Sequence, residues 1–534
     1  MKFDVLTESW IKVRKNNSEI EVSLYEALSN AHELEALSGE IATQDAAMLR
    51  LLLAFLYSIF LRLDENGEML GIQTNDESLR RWHAIWDLGC FPDKPISMYF
   101  GWFSENFDLL DSKKPFMQVP FQDEAVCSDG VAIIPAPRMN PAFIGDIADS
   151  GNSINMFARR NGSEAISFAQ AARWLVHLNS YDVSPAGAPP RGKKKINKYK
   201  HPWPANFDLV YAEGNNLFET LMLNLVLWDY NDEKAIELPK PFWEEPPVHR
   251  ADDLLDIDQA LPKSAGEIYS TLYRQMSLVL SDENDTVLGS NVWSGKKYPD
   301  NAVLFYEYMA LWEKRKDKDM PSRSNGTKQL WRDFAPLTSS NCGVRNWISE
   351  LSLDKIVRMR LVNMSYAQDT KISGVFTDAL AINASLLTNL GQEWIKDIMR
   401  ILDDTGKAVY AVGELARNIM QATGGSEDKQ LKGERDRSME LAYFALDIPF
   451  REWLRGITLD SQYDVQANKW HQTARRILLD IGAGLISEAG TAAFIGREIK
   501  SGRNTKIYMS APRAEIFFRK KLADIFGGSE APNE

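Results

Sequence analysis

The histidines are the side chains in this sequence best suited to metal binding and acid–base catalysis, and they lie far apart. They are His32, His83, His177, His201, His249 and His471. No two are separated by three or four residues, so they cannot form a pair of metal ligands on one helical face. The segment HELEA that begins at His32 lacks the final histidine of the zinc-protease pattern HExxH. The sequence also carries no phosphate-binding glycine motif and no nucleophile elbow, and therefore predicts no catalytic centre.

One acidic cluster has the composition that a two-metal nuclease needs. Its members are Asp252, Asp253, Asp256 and Asp258. In such enzymes carboxylates converge on metal ions about 4 Å apart. Here apolar residues are interleaved with the acids, a pattern that favours the solvated side of a surface helix or turn. A metal-dependent nuclease therefore stays as the alternative function.

Cysteine chemistry is limited to Cys90, Cys127 and Cys342. None of them forms a CxxC pair, so the sequence predicts neither a disulfide framework nor a cysteine zinc site. Cys342 has no base beside it in the sequence, and we expect a structural role for it. No metal or other cofactor is expected.

The segment Arg191–Lys200, RGKKKINKYK, concentrates positive charge in an acidic chain. Six of its ten residues are basic and none is acidic, whereas the whole chain carries a formal net charge of −13. It follows the sequence SPAGAPP, which favours an exposed loop over a helix. A loop of this composition suits phosphate contacts, and a solvated surface loop without a ligand is the other interpretation.

A second basic segment lies near the end of the chain. Between Arg497 and Lys521 there are eight basic residues and two acidic ones. Such a segment can run along a DNA strand. It can equally compensate the negative end of a helix dipole.

Hydrophobic periodicity predicts an α+β protein. Two short strands surround a polar turn at 14–18, a nearly all-apolar helix covers 43–63, and an amphipathic helix covers 163–179 within the irregular region 119–216. Strand-like segments follow at 286–292 and 355–362. From about 392 to 526 the pattern is helical, with helices expected from 392 and beginning near 407, 438, 462 and 511. Long helices with short polar links indicate a bundle.

Length and composition place the chain among ordinary globular proteins. It has 534 residues, 44% of them hydrophobic and 25% charged, which suggests two or three domains. The longest apolar stretch, Met48–Phe60, is too short to span a bilayer and contains Arg50. The first residues do not form a signal peptide, so we expect a cytoplasmic location.

Three short motifs resemble those of one family. FDVLTESWIKV opens the chain, KPFMQ lies at Lys114–Gln118, and LWRDFAPL lies at Leu330–Leu337. In this order the motifs resemble the CasA family, the large subunit of type I-E CRISPR Cascade complexes. The resemblance implies a large mixed α/β N-terminal domain at 1–380 and a C-terminal four-helix bundle at 381–534.

The resemblance also implies a function. A protein of this family binds the protospacer-adjacent motif in double-stranded target DNA, promotes duplex opening and R-loop formation, and helps to recruit the helicase-nuclease. Its partners are the guide RNA, the backbone subunits and the small subunit, and it is not itself an enzyme. A purely structural assembly subunit is the further alternative.

Family members carry a glutamine wedge on a β-hairpin before the bundle. Gln368, flanked by Ala367 and Asp369, lies at the corresponding place. An amide side chain can replace base hydrogen bonds because it offers both a donor and an acceptor. An exposed loop glutamine without this role is the other interpretation.

The resemblance places a minor-groove glycine loop within 184–195. Gly187 or Gly192 would let the backbone approach DNA. The adjacent cations of this loop are Lys193, Lys194 and Lys195. The chain departs from the family's glycine-rich form through Pro185, Pro189 and Pro190. The family's minor-groove lysine corresponds to Lys296 or Lys297.

A last set of residues follows from the family's docking loop. Phe157, Arg159 and Arg160 match a loop that contacts the neighbouring subunit and the RNA 5′ handle. An aromatic anchor with two guanidinium groups suits phosphate contacts and base stacking.

Overall fold

The computed structural model describes residues 2–120, 133–139, 165–181, 201–230, 233–246, 262–296, 298, 306–315, 318–323, 328–338, 342–367, 371–500 and 506–527. The chain divides into two compact units. Unit 1 comprises 1–330, 339–351 and 357–379, and unit 2 comprises 331–338, 352–356 and 380–534. The sequence-based domain boundary between 380 and 381 stays a prediction.

Helices occur in both units and dominate unit 2. They are α1 Leu24–Ser29, α2 Ala42–Phe60, α3 Asn75–Leu88, α4 Asp93–Trp102, α5 Ala136–Met139, α6 Phe168–Tyr181, α7 Leu217–Asn224, α8 Ala265–Ser270, α9 Gly343–Glu350, α10 Gln392–Thr423, α11 Asp428–Arg455, α12 Tyr463–Ser487, α13 Thr491–Ile495 and α14 Ala511–Phe526.

The strands form small sheets instead of one large one. They are β1 Ile11–Lys15, β2 Ser18–Val22, β3 Ala36–Leu37, β4 Ile133–Pro135, β5 Leu209–Glu213, β6 Trp228–Asp229, β7 Lys234–Ala235, β8 Arg274–Leu280, β9 Val287–Ser294, β10 Trp312–Arg315, β11 Lys318–Pro321, β12 Ile356–Ala367, β13 Lys371–Asn383, β14 Arg497–Lys500 and β15 Lys506–Met509. Three-stranded sheets have the orders β2-β1-β3, β4-β9-β8 and β13-β12-β5, and β6-β7, β10-β11 and β14-β15 are two-stranded.

The N-terminal hairpin confirms the two strands predicted at the start of the chain. Strands β1 and β2 pair antiparallel from Ile11 opposite Val22 to Lys15 opposite Ser18. The two residues between them, Asn16 and Asn17, have φ values of 52° and 58°. Asparagine tolerates this left-handed conformation, which a two-residue hairpin turn requires.

Helix α2 is the central core helix of unit 1. It spans 19 residues and is buried on nearly all sides, as the all-apolar pattern predicted. By length and hydropathy it meets the requirement for a membrane span, so the argument that the apolar stretch is too short was wrong. However, 94% of its apolar window is buried inside the protein. The helix therefore has the burial of a core element.

Unit 2 contains the predicted bundle. Helices α10, α11, α12 and α14 are its four long members. Trp470 lies in the core, where its indole Nε1–H donates to the Thr405 hydroxyl at 2.9 Å. Close packing depends on small residues at Gly413 and Gly482, since an added Cβ would lie 2.7 Å from the Met439 side chain and 2.3 Å from the Phe518 ring, respectively. The mixed α+β class with a C-terminal bundle is confirmed.

The bundle differs from the sequence prediction in its internal boundaries. Helix α10 continues through Lys407, where a new helix was expected, and α11 begins ten residues before Ser438, at Asp428. Between α12 and α14 the chain forms the short helix α13 and the β14–β15 hairpin instead of continuous helix. Alternating residues at Arg497–Lys500 suit a strand, but the helical pattern on both sides obscured this short segment.

Candidate nucleic-acid interface

By sequence position, the predicted wedge falls in the connection between the two strands of a long hairpin. Strands β12 and β13 are neighbours in their sheet and are joined by only three residues, 368–370. Ala367 is the last residue of β12. Gln368 and Asp369 lie outside the described residues. Strand β12 confirms the strand predicted at 355–362 and continues for five residues beyond it.

Strand β12 is fixed to the rest of unit 1 by charged and polar contacts. It pairs antiparallel with β5, with Arg360 opposite Tyr211. The Arg360 guanidinium forms a two-pronged ion pair with Glu213. Further along the strand the buried amide of Asn363 donates to Asp208, which also accepts a hydrogen bond from the Ser322 hydroxyl at 2.9 Å. These contacts make the lower part of the hairpin a rigid support.

Tyr366 holds the upper end of β12, two residues before Gln368. Its hydroxyl donates to the Tyr181 carbonyl at 3.0 Å. Its ring stacks on the His201 ring, with centroids 4.4 Å apart and planes 21° apart. The guanidinium carbon of Arg323 lies 6.0 Å from the Tyr366 ring centroid, within the range of a cation–π contact. The end of the strand is therefore held by a hydrogen bond and by aromatic stacking.

Two predicted segments, far apart in sequence, converge on this tyrosine. Tyr181 and His201 are the described residues that border the segment 182–200, which holds the predicted basic glycine loop. Both contact Tyr366. Both ends of the segment 182–200 are therefore anchored beside Tyr366, near the end of β12.

The loop residues themselves lie outside the described part of the chain. These are Gly187, Gly192, Lys193, Lys194 and Lys195, together with Lys297 and the docking-loop residues Phe157, Arg159 and Arg160. The acidic cluster Asp252, Asp253, Asp256 and Asp258 falls outside it as well. Their assigned roles stay predictions.

Lys296 is described, and its charge is already compensated within unit 1. Its side chain is 18% exposed and its ammonium lies 3.2 Å from a Glu267 carboxylate oxygen. The ammonium also lies 4.7 Å from the Tyr298 ring centroid, and the Tyr298 hydroxyl is 3.2 Å from the same carboxylate oxygen. A phosphate contact by Lys296 would require the lysine to leave this acidic partner.

Sequence reasoning missed the cluster around Tyr366. The sequence predicted no role for Tyr366, His201 or Arg323. An aromatic residue two positions before the tip was the one available signal. The stacking partner comes from a point 165 residues away, which no local pattern reveals.

The motifs that carried the family resemblance have structural roles. In KPFMQ, the buried Gln118 amide donates to the Leu109 carbonyl at 2.8 Å and accepts from the Leu278 N–H at 2.8 Å. In LWRDFAPL, the Trp331 indole donates to Asp447 of α11 at 2.7 Å and its ring stacks on Phe450 at 4.6 Å. These contacts give both motifs a role in stabilising the fold.

The described residues hold neither a cluster of metal ligands nor a reactive thiol at Cys342. Within the described residues no three His, Cys, Asp or Glu side chains are grouped closely enough to hold a metal ion. Burial raises the pKa of the Cys342 thiol to about 11, which keeps it protonated and unreactive at neutral pH. The described cysteines, Cys90 and Cys342, are both free.

A mixed α+β unit with a rigid hairpin, together with a unit built on a four-helix bundle, defines a large two-unit protein whose candidate interface is the hairpin tip. The CRISPR-associated protein Cse1 family matches residues 4–481. The chain belongs to this family, which confirms the resemblance to CasA.

Individual relatives match over nearly the whole chain. The CasA/Cse1 protein of Thermus thermophilus is 24% identical over 518 residues, which cover 93% of each chain. Among solved structures, Thermobifida fusca Cse1 superimposes with a TM-score of 0.79 at 26% identity, over 98% of both chains. Cse1 of Acidimicrobium ferrooxidans gives a TM-score of 0.77 at 20% identity, over 98% of both chains. A chain of a CRISPR RNA-guided surveillance complex shares the fold with a TM-score of 0.64 at 16% identity, over 98% of this chain and 100% of that one.

Proposed function

We propose that this chain is the large subunit of an RNA-guided DNA surveillance complex in antiviral defence. In this role it binds the protospacer-adjacent motif in double-stranded DNA, promotes duplex opening and R-loop formation, and helps to recruit the helicase-nuclease. The observation that supports the proposal most directly is the contact of both borders of 182–200 with Tyr366, beside the hairpin tip.

The chemistry of the two segments is complementary. The cations of the basic loop, Lys193, Lys194 and Lys195, suit the phosphate backbone and supply affinity without sequence information. Gln368 suits the base edges, because its amide can replace hydrogen bonds that a separated base pair loses. Opening the first base pairs costs a few kcal/mol, and growing RNA–DNA pairing offsets this cost.

A separate segment of the chain provides the contacts for assembly into the complex. Phe157, Arg159 and Arg160 contact the guide RNA handle or a backbone subunit in this proposal. The small subunit and the helicase-nuclease are the other protein partners. The chain acts in the cytoplasm by binding alone, with neither catalysis nor a cofactor of its own.

The proposal is tested with the reconstituted complex and a duplex that carries a fluorescent base analogue beside the motif. Gln368→Ala should leave assembly and motif binding unchanged and slow the rise in fluorescence that reports opening. Gln430→Ala is the matched control, because Gln430 is an exposed glutamine on α11. Opening at the wild-type rate by the Gln368 variant would remove the wedge assignment.

The alternatives give different results in parallel assays. A metal-dependent nuclease would cleave DNA when the isolated chain is incubated with Mg²⁺ or Mn²⁺. A purely structural subunit would keep its DNA affinity after charge reversal at Lys193, Lys194 and Lys195. The proposed function predicts weaker binding and a smaller salt dependence for that variant.

A further inference from the structure

The outer face of helix α14 carries exposed apolar and basic side chains together. Arg513, Ile516, Phe517, Lys520 and Lys521 follow the spacing i, i+3, i+4, i+7 and i+8, which places them on one side of the helix. Ile516 is 64% exposed and Phe517 is 43% exposed. The arrangement is an aromatic and aliphatic centre with cations before and after it.

Packing of the bundle does not explain this face. The opposite side of α14 supplies the core contacts through Ala514, Phe518, Leu522 and Phe526, which are buried. Ile516 and Phe517 therefore leave apolar surface exposed to water in the described part of the chain. Exposed apolar surface rimmed by charge is typical of a binding site.

The charge of this face selects the class of ligand. Arg513, Lys520 and Lys521 are exposed, and none has an ion-pair partner within the described part of the chain. The Arg513 guanidinium carbon lies 5.4 Å from the Phe517 ring centroid, so cation and ring form one platform. Asp524 is the one acid on the same side of α14. Glu515, the other acid of the helix, pairs with Arg519 at 2.8 Å. In a chain with a net charge of −13, this local excess of cations favours an anionic partner.

We infer that the outer face of α14 binds single-stranded nucleic acid. Unpaired bases present a free π-face that stacks on an aromatic side chain, and their phosphates contact nearby cations. In a duplex the bases are already stacked on each other and cannot cover Phe517. An aromatic residue between cations therefore favours a single strand over a double helix.

This inference goes beyond motif recognition and does not require it. Opening a duplex releases a displaced single strand, which is one natural occupant of the face. The site would bind a single strand even if the hairpin assignment failed, because none of its residues belongs to the hairpin or to the basic loop.

The test uses the isolated full chain and fluorescein-labelled oligothymidine of about 16 nucleotides, followed by fluorescence anisotropy. Phe517→Ala should weaken binding about tenfold through loss of base stacking. The Lys520→Glu/Lys521→Glu variant should reduce the slope of log affinity against log salt by about 1.4, or about 0.7 for each phosphate contact. Neither variant should change binding of a duplex that carries the motif.

Matched controls come from helix α11. Phe444 is 76% exposed, so Phe444→Ala removes a ring at least as accessible elsewhere on the bundle. Lys429→Glu/Lys432→Glu makes the same charge change at two exposed lysines. Both controls should bind oligothymidine as the wild type does, and all variants should keep the wild-type thermal unfolding midpoint.

Three results would overturn the inference. Equal affinity of the α14 variants and the α11 controls would show that the face binds no single strand. An effect of charge reversal without an effect of Phe517→Ala would reduce the interaction to unspecific attraction of a polyanion. Unchanged oligothymidine binding combined with loss of a partner protein from the assembled complex would make the face a protein docking site.

Discussion

Arg50 and Glu307 form an ion pair inside the core of unit 1. Their side chains are 2% and 0% exposed, and two N–H···O bonds of 2.8 Å join them. The Arg50 guanidinium carbon also lies 3.9 Å from the Tyr269 ring centroid. Arg50→Met should lower the free energy of unfolding by about 3–5 kcal/mol, because it leaves a carboxylate buried without its partner. Urea unfolding followed by tryptophan fluorescence measures the loss.

The double variant Arg50→Met/Glu307→Gln is the control for this interpretation. In the wild type, Glu307 accepts hydrogen bonds from the Trp203 indole at 3.0 Å and from the Met309 N–H at 3.2 Å. The neutral amide of glutamine still offers an oxygen to one of these two donors. We expect the double variant to unfold at a higher urea concentration than Arg50→Met alone, because no charge remains buried. A double variant less stable than Arg50→Met would contradict the assignment of the cost to an unpaired charge.

At the scale of elements, the β12–β13 hairpin depends on its anchor at Tyr366. Tyr366→Phe keeps the ring stacked on His201 and removes the hydrogen bond to the Tyr181 carbonyl. Loss of one such bond costs about 1 kcal/mol. Amide hydrogen exchange at the end of β12 should accelerate about fivefold, and duplex opening by the assembled complex should slow while motif affinity stays unchanged.

Tyr508→Phe provides the matched control in unit 2. Its hydroxyl also donates to a backbone carbonyl, that of Ile495. The substitution removes the same kind of hydrogen bond away from the hairpin, so exchange in β12 and duplex opening should remain at wild-type rates. A Tyr366→Phe complex that opens DNA as fast as this control would show that the anchor does not position the tip.

The accuracy of the sequence predictions depends on how local the determining interactions are. The Asn16–Asn17 turn and the apolar helix α2 follow from short patterns, and both were predicted. The basic segment near the chain end permitted two interpretations. The structure assigns its first residue to a cap, because the Arg497 guanidinium donates to the Thr423 carbonyl at 2.9 Å, at the C-terminus of α10.

Contacts between distant residues were not predictable in this way. The stack of His201 on Tyr366 and the Arg50–Glu307 pair join positions more than 150 residues apart. Helix ends inside the bundle were also misplaced: α10 continues through Lys407 and α11 begins before Ser438. Tertiary packing outweighs local propensity at these positions. Without the resemblance, Gln368 would have remained one polar loop residue among many.

At the scale of the whole molecule, stability against pH depends on groups that folding buries. His177 lies on α6 in the core, where its Nε2 is 3.0 Å from the Thr43 hydroxyl and its Nδ1 has no hydrogen-bond partner among the described residues. Burial lowers the pKa of His177 to about 3, against an ordinary value of 6.5. Burial acts in the opposite direction on the Asp45 carboxyl and raises its pKa to about 6. The two groups therefore oppose each other in mildly acidic solution.

The histidine makes the folded state less stable as the pH falls. Below pH 6.5 the unfolded chain binds a proton at His177 that the folded chain does not, so its contribution is complete above pH 6.5 and is lost progressively towards pH 3. Between pH 7 and pH 5 this loss is about 2 kcal/mol. Asp45 contributes in the other direction, since stability falls as the pH rises from about 4 to 6.

The difference between the wild type and His177→Gln isolates the histidine from Asp45. Glutamine can keep the hydrogen bond to Thr43 and cannot titrate, so the variant should gain about 2 kcal/mol relative to the wild type when the pH changes from 7 to 5. Urea unfolding at both pH values measures this change. Thr43→Ala removes the same hydrogen bond but keeps the histidine. Its free energy of unfolding should therefore lie below that of the wild type by the same amount at both pH values. If His177→Gln followed the wild type in parallel from pH 7 to pH 5, the imidazole would already be accessible to protons in the folded protein, and the core around α2 and α6 would be less tightly closed than the structure describes.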